Sequence, residues 1–317
     1  MSSNNTRHVV IGAGPLGTNI ARQLAGDGHA VRIVTRSGTG IALAGVERIA
    51  ADVRDSVSAS KALSGASVVY NCANPLYTEW AEVWPTLQGS PMRAAAENDA
   101  VYVAAENLYM YGPSPTPIGE KHPYDSPSRK GQVRAKHHLE LIAAHNRGDV
   151  RAVAGRASDF IGPEVLDAAL GERVVPKLLA NKKVQTLGDP DIAHTFTAIA
   201  DFATLLITLG RTESAWGRAW HAPSAPAISP RALLERMAAI AGLPSVKVTA
   251  IPGWALKTLG TVVPIMRELV EMQYQWTSPY LIDSSSATRE LGLTATDLET
   301  TLRETIDWYR ARDAKAA

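Results

Sequence analysis

Residues 7–17 constrain this chain most. Arg7-His8-Val9-Val10-Ile11 is a short apolar strand that runs into Gly12-Ala13-Gly14-Pro15-Leu16-Gly17. The three glycines stand at the G-x-G-x-x-G spacing. An amphipathic stretch through Ile20 and Leu24 follows, then a second strand-like run over Ala30–Val34. Each glycine has its own role. Gly12 makes the tight turn, Gly14 lets the backbone approach a pyrophosphate, and Gly17 lets the helix pack on the strand. The helix, with Pro15 and Leu16 in its first turn, offers free N–H groups and a positive dipole end to the phosphates. A strand, glycine turn and helix at the head of a βαβ unit predict an α/β chain that binds a dinucleotide.

The end of the second strand selects which dinucleotide. An NAD site usually carries Asp or Glu about 20 residues past the glycines, bonded to the ribose 2′-hydroxyl. Here the strand ends Thr35-Arg36-Ser37-Gly38, with no acid. Arg36 can fork onto a 2′-phosphate while Thr35 and Ser37 donate from their hydroxyls. Read otherwise, Arg36 is a solvated loop cation. The expected cofactor is NADP(H), ahead of NAD.

Composition narrows the partners. A chain of 317 residues buries a large core, as one domain or two joined ones. With 32 Lys and Arg against 31 Asp and Glu the formal net charge is +1, so no global field recruits nucleic acid or an anionic membrane. The single cysteine, Cys72, forms no internal disulfide and suits a reducing cytoplasm. The opening Met1–Thr6 has no apolar signal core, and the apolar runs fall short of the ~20 residues of a membrane span. The histidines are scattered, which predicts no metal site. A G-x-S-x-G nucleophile elbow is absent, which argues against serine hydrolysis.

Strand-like and helix-like segments alternate through the first half, the pattern of a doubly wound parallel sheet. Val46–Ala50, Ser67–Cys72, Ala100–Ala105 and Val150–Ala154 are predicted strands, the last ending at Gly155. Arg54–Leu63, Glu79–Asn98 and Ser128–Arg147 are predicted helices, with Pro85 and Pro91 expected to break the second into pieces. Beyond Gly155 the alternation fades. Ala203–Leu209, Arg231–Ala241 and Asp297–Arg310 read as helices and Ala219–His221 as a short strand. The expected organisation is a Rossmann-type domain over 1–165, completed by about 195–222. A smaller C-terminal substrate-binding cap is expected from 166–194 and 223–317, over the strand ends where open α/β sheets bind ligands.

Taken together, these residues resemble the extended short-chain dehydrogenase/reductase family, in its epimerase/dehydratase-like branch. Gly12 to Gly17 matches that family's cofactor turn, in an atypical Gly-Ala-Gly-Pro form. Asp52-Val53 looks like its adenine-binding pair, and Asn71-Cys72-Ala73-Asn74-Pro75 stands where its fourth strand passes the cofactor ribose. Tyr111-Gly112 matches the Tyr-Gly that closes its fifth-strand loop. Gly155-Arg156-Ala157-Ser158-Asp159-Phe160-Ile161-Gly162-Pro163 is similar to the segment that borders the nicotinamide. The resemblance thus implies Ala157 and Ser158 at the cofactor and Asp159 at a polar substrate group. Thr197 to Asp201 resembles a family strand with a closing Asp.

The catalytic signature departs from the family's. Its Tyr-x-x-x-Lys is here Gln132-Val133-Arg134-Ala135-Lys136, and its Ser/Thr position holds Asn107. Lys136 is still placed to bond the nicotinamide ribose; otherwise it is one solvated lysine in a basic stretch with Arg129, Lys130 and Arg134. Gln132 can donate a hydrogen bond but has no titratable proton. Asn107 is placed to polarise a carbonyl or to bond its own turn. Tyr109 and Tyr111 flank the same loop. Tyr109 is the candidate replacement proton donor, and Tyr111 reads as a packed aromatic. Tyr77, Trp80 and Trp84 form either an aromatic wall at the substrate or part of the core. His194 faces the pocket or the solvent, and His137 and His138 are expected at the surface.

The function expected on these grounds is an NADPH-dependent reductase of a carbonyl or activated alkene in a small organic substrate, with a non-standard proton donor. Two alternatives stay open. A nucleotide-sugar epimerase or dehydratase would first oxidise a hydroxyl and needs the base that Gln132 replaces. A dinucleotide-sensing protein without turnover would keep Arg36 and the glycines. Monomer and homodimer are both open.

Overall fold

A computed structural model describes residues 6–252 and 264–316; Met1–Asn5, read above as lacking a signal core, lie outside them. In chain order the strands are β1 Arg7–Ile11, β2 Ala30–Thr35, β3 Val46–Ala50, β4 Val68–Asn71, β5 Val101–Asn107, β6 Arg151–Ala157, β7 Asp159–Ile161, β8 Val184–Thr186, β9 Phe196–Ala198, β10 Ala219–His221 and β11 Val248–Ala250. The helices are α1 Pro15–Gly26, α2 Ser56–Ala62, α3 Trp80–Glu97, α4 Arg129–Asn146, α5 Val175–Leu179, α6 Ile199–Arg211, α7 Pro230–Ile240, α8 Pro264–Glu271, α9 Tyr274–Thr277, α10 Ser285–Leu291 and α11 Leu298–Ala316. None of the described helices is long and apolar enough to cross a membrane.

Seven strands make one sheet in the order β10-β6-β5-β4-β1-β2-β3. β1 pairs in parallel with β2 and β4, β2 with β3, and β4 with β5. The winding reverses at β1, which lies between β2 and β4. This is the doubly wound Rossmann arrangement, with its switch point at the carboxyl ends of β1 and β4. Val9, Val10, Val68 and Val69 are buried, as strands covered on both faces require. The edge strand β3 exposes Glu47 and Arg48, charges that discourage further pairing.

The chain divides into two compact units. One comprises Met1–Met110, Lys130–Arg156 and Phe202–Trp220; the other comprises Tyr111–Arg129, Ala157–Asp201 and His221–Ala317. In the second, β7 pairs with β9 and β8 with β11, both in parallel. Its core packs Leu178 of α5, Leu233 and Leu234 of α7, and Leu302 and Tyr309 of α11.

Four expectations are corrected. Pro85 and Pro91 do not break α3, which runs unbroken for 18 residues. Pro91 removes the N–H that would have bonded Leu87 O, and Asn71 Nδ2 donates to that oxygen instead, at 3.0 Å. Pro85 is exposed, where water can satisfy the carbonyl it orphans. Gly155 does not end β6, which continues to Ala157; a Cβ there would stand 2.5 Å from Leu206 Cδ2, so glycine admits the close crossing of α6. The strand expected over Thr197 to Asp201 stops at Ala198, and Asp201 lies in the first turn of α6, bonded to Thr296 N and Oγ1 at 2.8 and 2.6 Å. Finally, His137 and His138 are buried, on one inward stripe of α4 with Lys130, Arg134, Leu141 and Ala144.

Candidate active site

The glycine turn joins β1 to α1 through close approaches. Gly12 has φ 99°, and its N–H donates to Val34 O at 2.9 Å. A Cβ on Gly17 would stand 2.1 Å from Gly12 O, so only hydrogen fits where α1 meets the turn. Gly14 is different: its φ is −71° and nothing lies within 4 Å of its Cβ position. It caps α1 without a side-chain hydrogen bond, and the first turn, which holds Pro15 and Leu16, carries no acid. The positive helix end therefore opens onto unfilled space beside Gly14, an arrangement whose sign of charge suits an anion.

Beyond β2, Thr35 Oγ1 donates to Thr39 O at 2.9 Å and Ser37 Oγ bonds Thr39 Oγ1 at 2.5 Å. Both hydroxyls brace their own loop, with Arg36 exposed between them. After β3, Asp52 accepts from Arg54 Nε at 2.9 Å and Nη2 at 2.5 Å, and these bonds hold its carboxyl below the ordinary range. Val53 beside it is buried. After β4, Cys72 N–H donates to Ile11 O at 3.0 Å, and Ala73 N lies 3.2 Å from the Gly12 Cβ position. The two turns thus meet at the switch point, and Asn74 is exposed just past it. Burial pushes the Cys72 thiol well up, which keeps it unreactive.

At the end of β5, Asn107 Oδ1 accepts from Tyr109 N–H at 3.2 Å, so the amide serves its own turn. The Tyr109 hydroxyl meets the Tyr77 hydroxyl in a hydrogen bond. Tyr109 stacks on Trp80 with ring centres 5.7 Å apart, and Lys130 Nζ stands 5.5 Å from the Tyr77 ring centre. Trp80 and Trp84 are core residues, whereas Tyr77 and Tyr109 are half-buried against them.

Gln132 and Lys136 lie on the outward face of α4. Gln132 is exposed, and Lys136 has 70 % of its side chain accessible, with its ammonium 3.9 Å from Glu140. Two residues earlier, Lys130 and Arg134 face inward, each 3 % exposed. Arg134 Nη2 donates to Ala105 O at 3.2 Å, and its guanidinium covers Trp84 at 4.2 Å. Nearby, Glu106 accepts from Arg156 Nε at 2.9 Å and bonds His138 Nδ1 at 3.2 Å. Burial alone would raise the Glu106 carboxyl. The charges of His138 and Arg156 outweigh it and hold the group well below the usual carboxylate range.

In the second unit, Ala157 is buried, and Ser158 donates its N–H to Thr197 Oγ1 at 3.1 Å. Ser158 Oγ is buried without a hydrogen-bond partner among the described residues, an orphan hydroxyl of the kind a ligand satisfies. Asp159 Oδ2 bonds His194 Nε2 at 2.8 Å, and His194 Nδ1 faces Gln275 O at 3.3 Å. The His194 ring is buried and stacked on Trp276, 4.1 Å between centres and 7° from parallel. The Asp159 side chain remains 26 % exposed. Tyr111 is a packed aromatic whose hydroxyl bonds His221 Nε2 at 2.9 Å.

The sequence profile of the NAD dependent epimerase/dehydratase family matches residues 8–219, well over half of the chain. No curated protein matches in sequence. Among solved structures, the UDP-glucose 4-epimerase of Thermotoga maritima, crystallised with UDP-glucose, superposes with a TM-score of 0.79 at 13 % identity, over 97 % of this chain and 99 % of that one. The dTDP-glucose 4,6-dehydratase of Streptomyces venezuelae, crystallised with NAD, gives 0.78 at 17 % identity over 98 % of each chain. A nucleoside-diphosphate-sugar epimerase of Pseudomonas aeruginosa gives 0.73 at 20 % identity, over 97 % and 98 %. At these identities the likeness is one of fold, and it spans the whole chain. On the profile match and the glycine cradle together, the chain belongs to the NAD dependent epimerase/dehydratase family, enzymes of the extended short-chain dehydrogenase/reductase type.

Proposed function

We propose that this protein is an NADP(H)-dependent oxidoreductase that reduces a carbonyl, or an alkene conjugated to one, in a small organic substrate. The observation that carries the reading is the Tyr109 phenol at the end of β5, hydrogen-bonded to Tyr77 where no Tyr-x-x-x-Lys tyrosine exists. When bound, the reduced dinucleotide supplies two electrons and a hydrogen to carbon. The chain itself must supply the proton that goes to oxygen. Tyr109 O–H gives that proton to the substrate oxygen, and the hydrogen bond from Tyr77 spreads the charge left behind.

Arg36 supports the phosphorylated dinucleotide, because its guanidinium is exposed at the end of β2 and no acid competes for the ribose. The first turn of α1 and Gly14 hold the pyrophosphate, with Val53 and the 72–74 turn beside the adenosine half. The dinucleotide falls to 1–165 with about 195–222, and substrate choice to 166–194 and 223–317. The Asp159 carboxylate, near the end of the first of these segments and fixed by His194, meets a polar substrate group. A lone thiol with no disulfide partner suits a cytoplasmic setting.

The family match favours a second reading, a nucleotide-sugar epimerase or dehydratase. A single experiment separates the two. NADPH consumption is followed with a panel of ketones, aldehydes and enones, and in parallel UDP- and dTDP-hexoses are assayed for conversion without net cofactor change. The proposed function requires NADPH loss with a carbonyl compound, slowed ~100-fold or more in Tyr109→Phe. Sugar-nucleotide conversion without net NADPH loss would overturn it in favour of the second reading.

A further inference from the structure

Arg134 carries a buried charge that the fold leaves largely unanswered. It is 3 % exposed, on the inward stripe of α4. Among the described residues its guanidinium makes one hydrogen bond, from Nη2 to Ala105 O at 3.2 Å, and no ion pair. Arg134 Nε is buried with no partner among those residues. The neighbouring carboxylate is engaged elsewhere: Glu106 accepts from Arg156 Nε at 2.9 Å on Oε2 and bonds His138 Nδ1 at 3.2 Å through Oε1. Burial pushes the Arg134 guanidinium below its ordinary range, and the charge of Glu106 opposes this only in part. A purely structural side chain at such a place is better apolar, since an unpaired buried charge costs stability.

A second orphan stands beside it. The guanidinium carbon lies 4.2 Å from the centre of the Trp84 ring, and Trp84 Nε1 is likewise buried without a partner among the described residues. Arginine and tryptophan side chains donate hydrogen bonds and accept none. The group missing here is therefore an acceptor, and a buried cation favours a charged one. The strand beneath narrows its source. Ala105 follows Ala104, the partner of Asn71 at the last residue of β4, so the guanidinium sits at the carboxyl edge of the sheet, where such folds bind ligands. In the sheet order β5 is two strands from β1, about 10 Å at the usual strand spacing. A pyrophosphate on the first turn of α1 is thus not the anion that Arg134 lacks.

Resting on the reductase reading above, we propose that Arg134 binds a carboxylate of the substrate, which makes the substrate a carboxylic acid that also bears the reducible carbonyl. Arg134 Nε and its remaining guanidinium N–H groups donate to the carboxylate oxygens, with the Trp84 N–H as a further donor at the same place. The proposed proton donor borders the same aromatic cluster. Trp84 meets Trp80 edge-on with ring centres 6.0 Å apart, and Trp80 stacks on Tyr109 at 5.7 Å. An oxo acid thus brings both of its polar groups to one end of β5, its carboxylate to Arg134 and its carbonyl oxygen to the phenol.

The test is calorimetric titration of the whole protein, with and without NADP⁺, using 2-oxo acids from pyruvate to phenylpyruvate, each paired with its neutral methyl ester. The acids are expected to bind at least tenfold more tightly than their esters. Arg134→Met should weaken the acids roughly 10- to 100-fold, the share of a charge-assisted hydrogen bond, and leave the esters and NADP⁺ unchanged. Arg134→Lys should restore part of the loss. If Arg134→Met does not fold by circular dichroism, Arg134→Gln replaces it. Acids and esters that bind alike, a panel in which no acid binds, or acid binding that survives in Arg134→Met would overturn the proposal. Loss of NADP⁺ binding in the variant with acid binding intact would also overturn it, by giving the guanidinium to the cofactor. If the acids bind as expected while none of them oxidises NADPH, the carboxylate site stands and the reductase reading falls.

Discussion

Arg36 stands where a carboxylate would have selected NAD, and its neighbours Thr35 and Ser37 are already bonded to Thr39. The guanidinium alone is left to meet a 2′-phosphate. NADPH is expected to bind at least tenfold more tightly than NADH, a difference of ~1.4 kcal/mol. Arg36→Asp should abolish or invert that preference, since a carboxylate repels the phosphate and suits a free hydroxyl. Fluorescence titration with both nucleotides checks this, and equal dissociation constants in the unmutated protein would refute it. At this scale the tight turn at Gly12 and the close packing at Gly17 were legible in the sequence because they depend on immediate neighbours. The Asp159–His194 contact was not. The two lie 35 residues apart and meet only through the register of two three-residue strands, Asp159 opposite Phe196.

Elements carry their own lesson in α3 and α4. Proline rules applied to α3 alone predict a break, but Asn71 on β4 reaches across to Leu87 O and also bonds Tyr102 OH at 2.7 Å. Tertiary contact replaces the hydrogen bond that Pro91 removes. Asn71→Ala would leave both buried groups unsatisfied and is expected to cost ~2–3 kcal/mol, read as a lower urea midpoint; an unchanged midpoint would show that α3 tolerates Pro91 by other means. In α4, matching to Tyr-x-x-x-Lys drew attention to Gln132 and Lys136, which are exposed, and not to the buried face. The signal for the buried face lay in its second half, where Leu141 and Ala144 are the apolar pair. Counting back from Leu141 by helical steps reaches His137, Arg134 and Lys130. Charged residues on that face hid the stripe, because periodicity is read from apolar residues.

For the whole molecule, acid should loosen the fold before any site chemistry is reached. His8 is buried in β1, with Nδ1 bonded to Tyr70 OH at 3.2 Å and Nε2 without a partner among the described residues. Burial first, then the charges of Arg211 and His29, lower it from 6.5 to about 4. The unfolded chain takes up this proton as pH falls through 6.5, and the folded chain refuses it until about 4, so stability drops across that window. The loss attributable to His8 is of order 2 kcal/mol, and His8→Gln should flatten the curve of urea midpoint against pH by that amount. Parallel curves for the two proteins would contradict it. Glu106 adds to the fall only at lower pH, since its depressed carboxyl stabilises the fold above the ordinary carboxylate range and loses that contribution as pH drops. The central claim, that the cradle at the end of β1 holds a dinucleotide, is tested most directly by calorimetric titration of NADPH into the unmutated protein and Gly14→Val. Nothing lies within 4 Å of that Cβ position, and φ is −71°, so the variant should fold with an unchanged unfolding temperature. One NADPH per unmutated chain and no binding to the folded variant is the result expected; equal affinity in both would place the dinucleotide elsewhere and contradict the account.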